Sequence, residues 1–453
     1  MTTESLLAIG LFFIAFLMMQ WNVVGRNEAM LGGAAAFLLL GWAMDFYTIP
    51  MAMGAIYFDT LAMIFGMSLV SNVLIRSGVF TTLGLWTARF SRGSGPLILV
   101  LFVLITYAIS SVINNLATML VMVPLTLVLC QAMRISPIPI VAAELIASNL
   151  GGASTLIGDF PNMIIGAAAQ LHFDDFIGGM MVPCLLLLAV MLLVFQWRKD
   201  GFAVLSRRSR TLSAAQVEAL FLDQAGKMAA VDPYLLRVGL VTLAVMLLGL
   251  MSAEPLGLRP AAVAFAAGLL MLVLGRIPPH ELTAAVGGGD ILFFVGEFVM
   301  VGGLQAAGVL NGIHDLIVYV GGGSALVSLI VMMWFTGIAT PFLNAGPTTA
   351  LMIPIAEAMT RDIPGNTVWW ALSLGVLAGS SSMLSGATAG PVIASQMAYH
   401  VSRVHRTAKG LEQADVAWLK SARLTCQQYL PWGIPMALTF LCLSTLYIVV
   451  SVP

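Results

Sequence analysis

Charge is what this chain of 453 residues has least of: Asp, Glu, Lys and Arg together make up 9%, against roughly 25% in a soluble globular domain. That scarcity excludes a soluble enzyme, a disordered chain and a nucleic-acid binder with a basic face. Cysteines at metal-ligand spacing are missing as well, because Cys130, Cys184, Cys426 and Cys442 lie in or beside apolar runs, as packing residues do. No glycine-rich lysine loop of the nucleotide-binding kind occurs. What is abundant is apolar: 60% of residues are hydrophobic and the mean hydropathy is +0.98. The 44 Gly and 20 Pro suit helices that pack closely or break inside a bilayer. This is the composition of a polytopic membrane protein.

A crossing needs about 20 mostly apolar residues. Ten such stretches stand at 5–24, 28–44, 60–78, 138–168, 176–196, 235–252, 258–275, 291–310, 366–398 and 430–451. Two more, 96–131 and 320–360, carry polar tips near their middles and read as re-entrant hairpins. With the hairpins not counted as crossings, all 20 Lys and Arg except Arg259 and Arg361 fall on one face, which the positive-inside rule makes cytoplasmic. Both termini are then expected on the non-cytoplasmic side. The first span is flanked by Glu4 and lacks a small-residue cleavage site, so it reads as a retained span. Amphipathic pieces at Ala214 to Asp223 and Leu411 to Leu419 are expected along the cytoplasmic interface.

Shifting the sequence by 230 residues aligns Gly66 with Gly296, Gly78 with Gly308, Asn114 with Asn344, Thr118 with Thr348, Pro124 with Pro354 and Pro161 with Pro391. Asp59 and Asp290 correspond after a one-residue deletion. The expected organisation is a first repeat at 1–197, a basic cytoplasmic linker at 198–234 and a second repeat at 235–453. Each repeat has an odd number of crossings, so the second is inverted relative to the first. The expected fold is therefore an all-α polytopic membrane protein of about ten transmembrane helices in two inverted-topology repeats, each with a re-entrant hairpin and a broken helix. In such folds solute binds near the midplane, where discontinuous helices of both halves meet.

The polar interruptions supply the candidate ligands. The first hairpin tip offers Asn114, Asn115 and Thr118, and the second Asn344, Thr348 and Thr349. The first broken helix offers Ser148, Asn149, Ser154, Thr155, Asp159 and Asn162, and the second offers Ser385 and Thr388. Ala389 stands opposite Asp159, so one half is titratable and the other neutral. A carboxylate at this depth costs about 2.5–3.5 kcal/mol even on lenient scales, which makes Asp159 a functional candidate. Burial disfavours the charged form of a carboxyl and a bound cation favours it. That competition is what a cation/proton exchanger requires. The alternative role for Asp159 is capping a half-helix. Glu144 and Glu297 are further proton-carrying candidates within apolar runs; for Glu297 a subunit interface or snorkelling is equally compatible. His172 with Asp174 and Asp175 reads as a solvated turn, and no metal site is expected.

The run ASNLGGASTLIGDFPNMIIG from Ala147 to Gly166, the tip SSVINNLAT followed by MVPLTL, and the stretch Asp59 to Gly78 resemble the ion transporter superfamily. Its relatives include NhaD-type sodium/proton antiporters, the arsenite pump ArsB, the melanocyte P protein and, more distantly, dicarboxylate and citrate carriers. STLIGDFPNMI with LHFDDFIGGMM, and WWALSLGVLAGSS with LSGATAG, are similar to the branch found in magnetosome membranes. The resemblance implies a scaffold, a mobile transport domain carrying both hairpins, a homodimer, and ion-coupled transport without ATP. Relatives often have Asp-Asn at both hairpin tips, where this chain has Asn114-Asn115 and Asn344-Ala345, and Asp-Pro-Pro where it has Asp159-Phe160-Pro161.

The expectation is a secondary transporter and not an enzyme: a Na+/proton antiporter in a bacterial inner membrane or a magnetosome membrane. It would need no cofactor beyond a bound Na+ and no nucleic acid, its partners being a small ion, the lipid bilayer and a second copy. The alternatives are a carrier of arsenite, citrate or a dicarboxylate, and a transport-inactive scaffold that recruits partners through the linker 198–234.

Overall fold

The computed structural model describes residues 2–21, 23–79, 95–198, 231–407 and 422–451, with isolated positions between them. The described residues are helical throughout their regular structure. Helices α1 (Thr3–Gln20), α2 (Arg26–Met44), α3 (Ile49–Gly54) and α4 (Phe58–Arg76) are followed by the arms α5 (Gly95–Ser110) and α6 (Asn115–Met133). Next come α7 (Ile138–Ala153), α8 (Phe160–Ala169), the short α9 (Phe173–Phe176) and α10 (Val182–Trp197). The second half contains α11 (Pro233–Met251), α12 (Pro260–Leu274), α13 (Leu282–Ala285), α14 (Gly288–Ala306) and α15 (Val309–Val320). It ends with α16 (Ala325–Leu343), α17 (Ala345–Met359), α18 (Thr367–Ser382), α19 (Gly390–Thr407) and α20 (Cys426–Ser451).

Among the described residues, nine helical segments are long and apolar enough to cross a bilayer. They are not the same set as the ten expected crossings. Asn115–Met133 and Ala325–Leu343 are hairpin arms. The other seven, the 15-residue α12 and the two broken helices make up the ten. The repeat is visible in the helix starts at the 230-residue shift: Thr3 with Pro233, Phe58 with Gly288, Gly95 with Ala325, Asn115 with Ala345, and Phe160 with Gly390. Gly78 and Gly308 take the same left-handed turn, φ 74° and 73°, which a residue without Cβ adopts freely.

Helix ends must be satisfied internally in a bilayer. Ser5 N donates to Thr2 Oγ1, Tyr234 N to Asp232 Oδ1 and Val327 N to Ser324 Oγ, closing the starts of α1, α11 and α16. Two differences from the expected spans have local causes. The stretch 291–310 stops at Ala306 because Gly308 turns the chain into a separate amphipathic helix, α15. The stretch 176–196 begins with a π-helical turn, Ile177–Met181, around Gly178 and Gly179. His172 caps α9, its own N–H donating to Asp175 Oδ2 at 2.8 Å. The amphipathic pieces 214–223 and 411–419, and most of the basic linker, lie outside the described residues.

The two repeats exchange partners. Helix α4 packs on α12 with Gly66 against the Ala264 backbone, and α14 packs on α2 with Gly296 against the Met30 backbone. Two ion pairs join the same partners: Arg26 with Asp290, and Arg259 with Asp59 at 3.4 Å. This frame packs against a second group in which α5 lies against α7, α16 against α18, and α8 against α17.

Candidate functional site

The first hairpin turns at residues 111–114. Asn114 caps α6 by accepting from Ala117 N at 2.9 Å, and its carbonyl accepts from Thr118 Oγ1 at 3.1 Å. Asn115, the first residue of α6, is buried and reaches across to α7. Its amide donates to Asn149 Oδ1 at 2.7 Å and its oxygen accepts from Ser148 Oγ. Asn149 in turn donates to Ser381 Oγ at 3.3 Å, so the network runs from the first hairpin through the first broken helix into the second. The carbonyl of Ser381 accepts from Tyr429 Oη at 2.8 Å on α20.

Asp159 lies where the first broken helix resumes. One oxygen accepts from Phe160 N at 2.9 Å, capping α8, and the Asn115 side chain lies close to the carboxyl. Capping α8 is therefore one role of this residue. The break fits because Gly152 has no side chain: a Cβ there would stand 2.9 Å from Asp159 Cβ. An ionisable carboxyl beside an amide offers oxygen ligands to a cation in a setting where water is scarce.

The second hairpin turns at one residue. Asn344 adopts φ 75°, ψ 161°, and its amide donates to Ser385 O at 3.1 Å while Ser385 Oγ donates to Pro341 O at 2.8 Å. Thr348 Oγ1 donates to Asn344 O and Thr349 Oγ1 to Ala345 O. Among the described residues no side chain caps α17. A cavity of about 280 Å³ opens onto this tip, lined by Asn344, Ser385, Thr388, Phe294, Arg26 and Asp290.

The structure thus brings together Asn115, Ser148, Asn149 and Asp159 at one tip, and Asn344, Ser385 and Thr388 at the other. Three candidates spend their hydrogen bonds on fixing the break to its own turns and to its neighbours. Asn162 donates to Ala153 O at 3.0 Å and Thr155 O at 2.8 Å and accepts from Ser373 Oγ at 2.8 Å. Ser154 bonds Tyr107 Oη, and Thr155 bonds Ser111 O. Glu144 lies apart, with Oε1 accepting from Thr126 Oγ1 at 2.6 Å, and Glu297 sits on α14 in the frame. Sequence reasoning passed over Ser110, Ser373, Ser381 and Arg26 as site members. Ser110 and Ser381 stand inside the polar interruptions, which was the available signal; Arg26 looked like a topology marker only.

Two repeats of crossing helices, each with a hairpin and a helix broken at the same depth, define a secondary transporter of the inverted-repeat class. The chain belongs to the citrate transporter (CitMHS) family, whose profile matches residues 14–375. It is 42% identical to the magnetosome protein MamN of Magnetospirillum gryphiswaldense over 98% of both chains. It is 41% identical to the protein of the same name from Paramagnetospirillum magneticum over 99% of both. The crystal structure of the Alcanivorax borkumensis YdaH transporter, described as having an unusual topology, shares the fold. Its TM-score is 0.57 at 14% identity, covering 96% of this chain and 98% of that one.

Proposed function

We propose that this transporter exchanges Na+ for protons, with Asp159 as the group for which cation and proton compete. The observation that carries the reading is the position of Asp159: an ionisable carboxyl, 9% exposed, at the break of a helix and in the network of Asn115, Ser148 and Asn149. Asn114, Thr118, Asn344 and Thr348 supply neutral oxygens around the two tips. The similarity to magnetosome proteins supports a magnetosome membrane as the site of action, where the exchanger would move protons as a homodimer. The test is sodium-driven pH change in proteoliposomes containing a pH dye. Asp159→Asn is expected to abolish it while the protein still inserts and unfolds at the wild-type temperature; undiminished exchange by that variant rejects the assignment.

A second reading is favoured by one feature. The uncapped start of α17 opens into a cavity that also contains Arg26, and free N–H groups at a helix start attract anions. A carboxylate or oxyanion would then be the cargo. Uptake of citrate or arsenite, with no proton movement on adding sodium alone, would establish this reading instead.

A further inference from the structure

Glu297 is fully buried on α14, and neither of its carboxyl oxygens has a hydrogen-bond partner among the described residues. Its surroundings are aromatic: Phe294 lies one turn before it on the same helix and Phe298 follows it directly, the two rings 6.0 Å apart. The start of the second hairpin arm closes over it. A Cβ on Gly346 would stand 3.9 Å from Glu297 Oε2 and 2.8 Å from the Phe294 ring, so the first turn of α17 seats here because residue 346 has no side chain.

Packing does not require an acid at this point. The 230-residue shift puts Met67 where the second repeat has Glu297 and Leu116 where it has Gly346, and Met67 is equally buried. The fold therefore builds the equivalent position of the other repeat from an apolar side chain. An unpaired charge is among the costliest groups to bury, and a protonated carboxyl is much less so.

The charged and titratable groups on the elements packed against α14 are engaged with other partners or lie at far ends. Arg26 of α2 pairs with Asp290 of α14, and Asp59 of α4 pairs with Arg259. Arg76 of α4 donates to the carbonyls of Gly275 and Arg276. Tyr47, just before α3, donates to Val299 O at 2.8 Å. Tyr57 meets Phe298 edge-on, Glu28 is exposed at the start of α2, and Glu357 stands at the opposite end of α17 from Gly346. On α1, Glu4 lies in the first turn, and on α15 His314 is engaged with the exposed Asp315 while Tyr319 is exposed.

We propose that Glu297 is a proton site that senses the second hairpin. It holds its proton while the first turn of α17 covers it. When the hairpin moves off and water enters, the proton passes to that water. Rising pH therefore favours the uncovered arrangement. The inference rests on reading the hairpin as a moving part of the transporter, and it names the group that links this motion to protons.

The test uses the full chain in proteoliposomes, with Phe294→Cys as a reporter beneath the hairpin and a water-soluble maleimide as the probe. Rates are normalised to the exposed Cys426, because maleimide chemistry itself follows the thiolate fraction. Labelling of residue 294 is expected to quicken with pH, by up to about tenfold per unit, the limit for one linked proton. Glu297→Gln should flatten that slope and Glu297→Asp should restore it. Glu297→Met, which copies the other repeat, keeps the packing without the proton if Gln proves poorly folded. A flat slope in the reporter alone overturns the proposal, as does an unchanged slope in the Gln and Met variants. A slope lost in Asp159→Asn but kept in Glu297→Gln also overturns it, assigning the proton to Asp159. No transported ion enters this measurement. A slope that depends on Glu297 in a protein without sodium-driven exchange would keep this proposal and reject the sodium/proton reading.

Discussion

Asn344 shows how much a single position holds at the tip of the second hairpin. Its φ of 75° and ψ of 161° fall in a region that is almost reserved for glycine, where another residue bears about 1–3 kcal/mol of strain. The amide hydrogen bond to Ser385 O offsets part of this, a net contribution of about 0.5–1.5 kcal/mol. Asn344→Gly removes both terms and should leave stability near that of the wild type. Asn344→Ala keeps the strain and loses the bond, so it should be the less stable of the two by about 1–3 kcal/mol. Thermal unfolding of the purified variants in detergent gives the order, and an alanine variant as stable as the glycine variant would contradict this account. Asp159 was legible in the sequence because a carboxylate in an apolar run stands out. Ser373 was not, since a serine in an apolar helix can equally well bond back to its own backbone, as Ser381 Oγ does to Leu377 O.

At the scale of elements, the contacts that hold the frame are backbone-to-backbone crossings. A Cβ on Gly66 would fall on the Ala264 carbonyl, and one on Gly296 would stand 2.7 Å from the Met30 carbonyl carbon. Neither neighbour is a flexible side chain, so the helices themselves would have to separate. Gly66→Ala and Gly296→Ala should each destabilise by about 1–3 kcal/mol. Gly10, whose Cβ would meet nothing within 4 Å, should tolerate alanine or gain slightly from it, by roughly 0.5–1 kcal/mol. Unfolding temperatures in detergent compare the three, and equal effects at Gly10 and Gly66 would remove the crossing argument. The helix inventory was largely readable, because the 230-residue register carried over into the helix starts. Helix α15 was not, since its apolar side continues the hydrophobic run of α14 and only the turn at Gly308 separates them.

For the whole molecule, the pattern of basic residues and the cavity point the same way. The space lined by Asn344, Ser385 and Thr388 opens on the side of Arg26, the side that positive-inside counting predicts to be cytoplasmic. The ion pair of Arg259 and Asp59 lines a separate cavity of about 270 Å³ that does not reach either hairpin tip. A cysteine at Ser385 should therefore react with a membrane-impermeant thiol reagent in inside-out vesicles and be protected in right-side-out ones; the reverse pattern would invert the topology. Composition, spacing and charge were sufficient by themselves for the membrane class, the inverted repeats and the breaks in the helices. These depend on local hydropathy and on residues, such as Gly, Pro and Asp, whose backbone or solvation needs act wherever they stand. Only the tertiary structure decided which polar groups face one another. It linked Asn115 to Asn149 and through it to Ser381, spent the bonds of Asn162 on its own loop and on Ser373, and set Glu297 beneath Gly346. The reason is geometric: a hydrogen bond or a buried contact depends on ångström-scale distances between helices far apart in the chain, and no periodicity in the sequence encodes those distances.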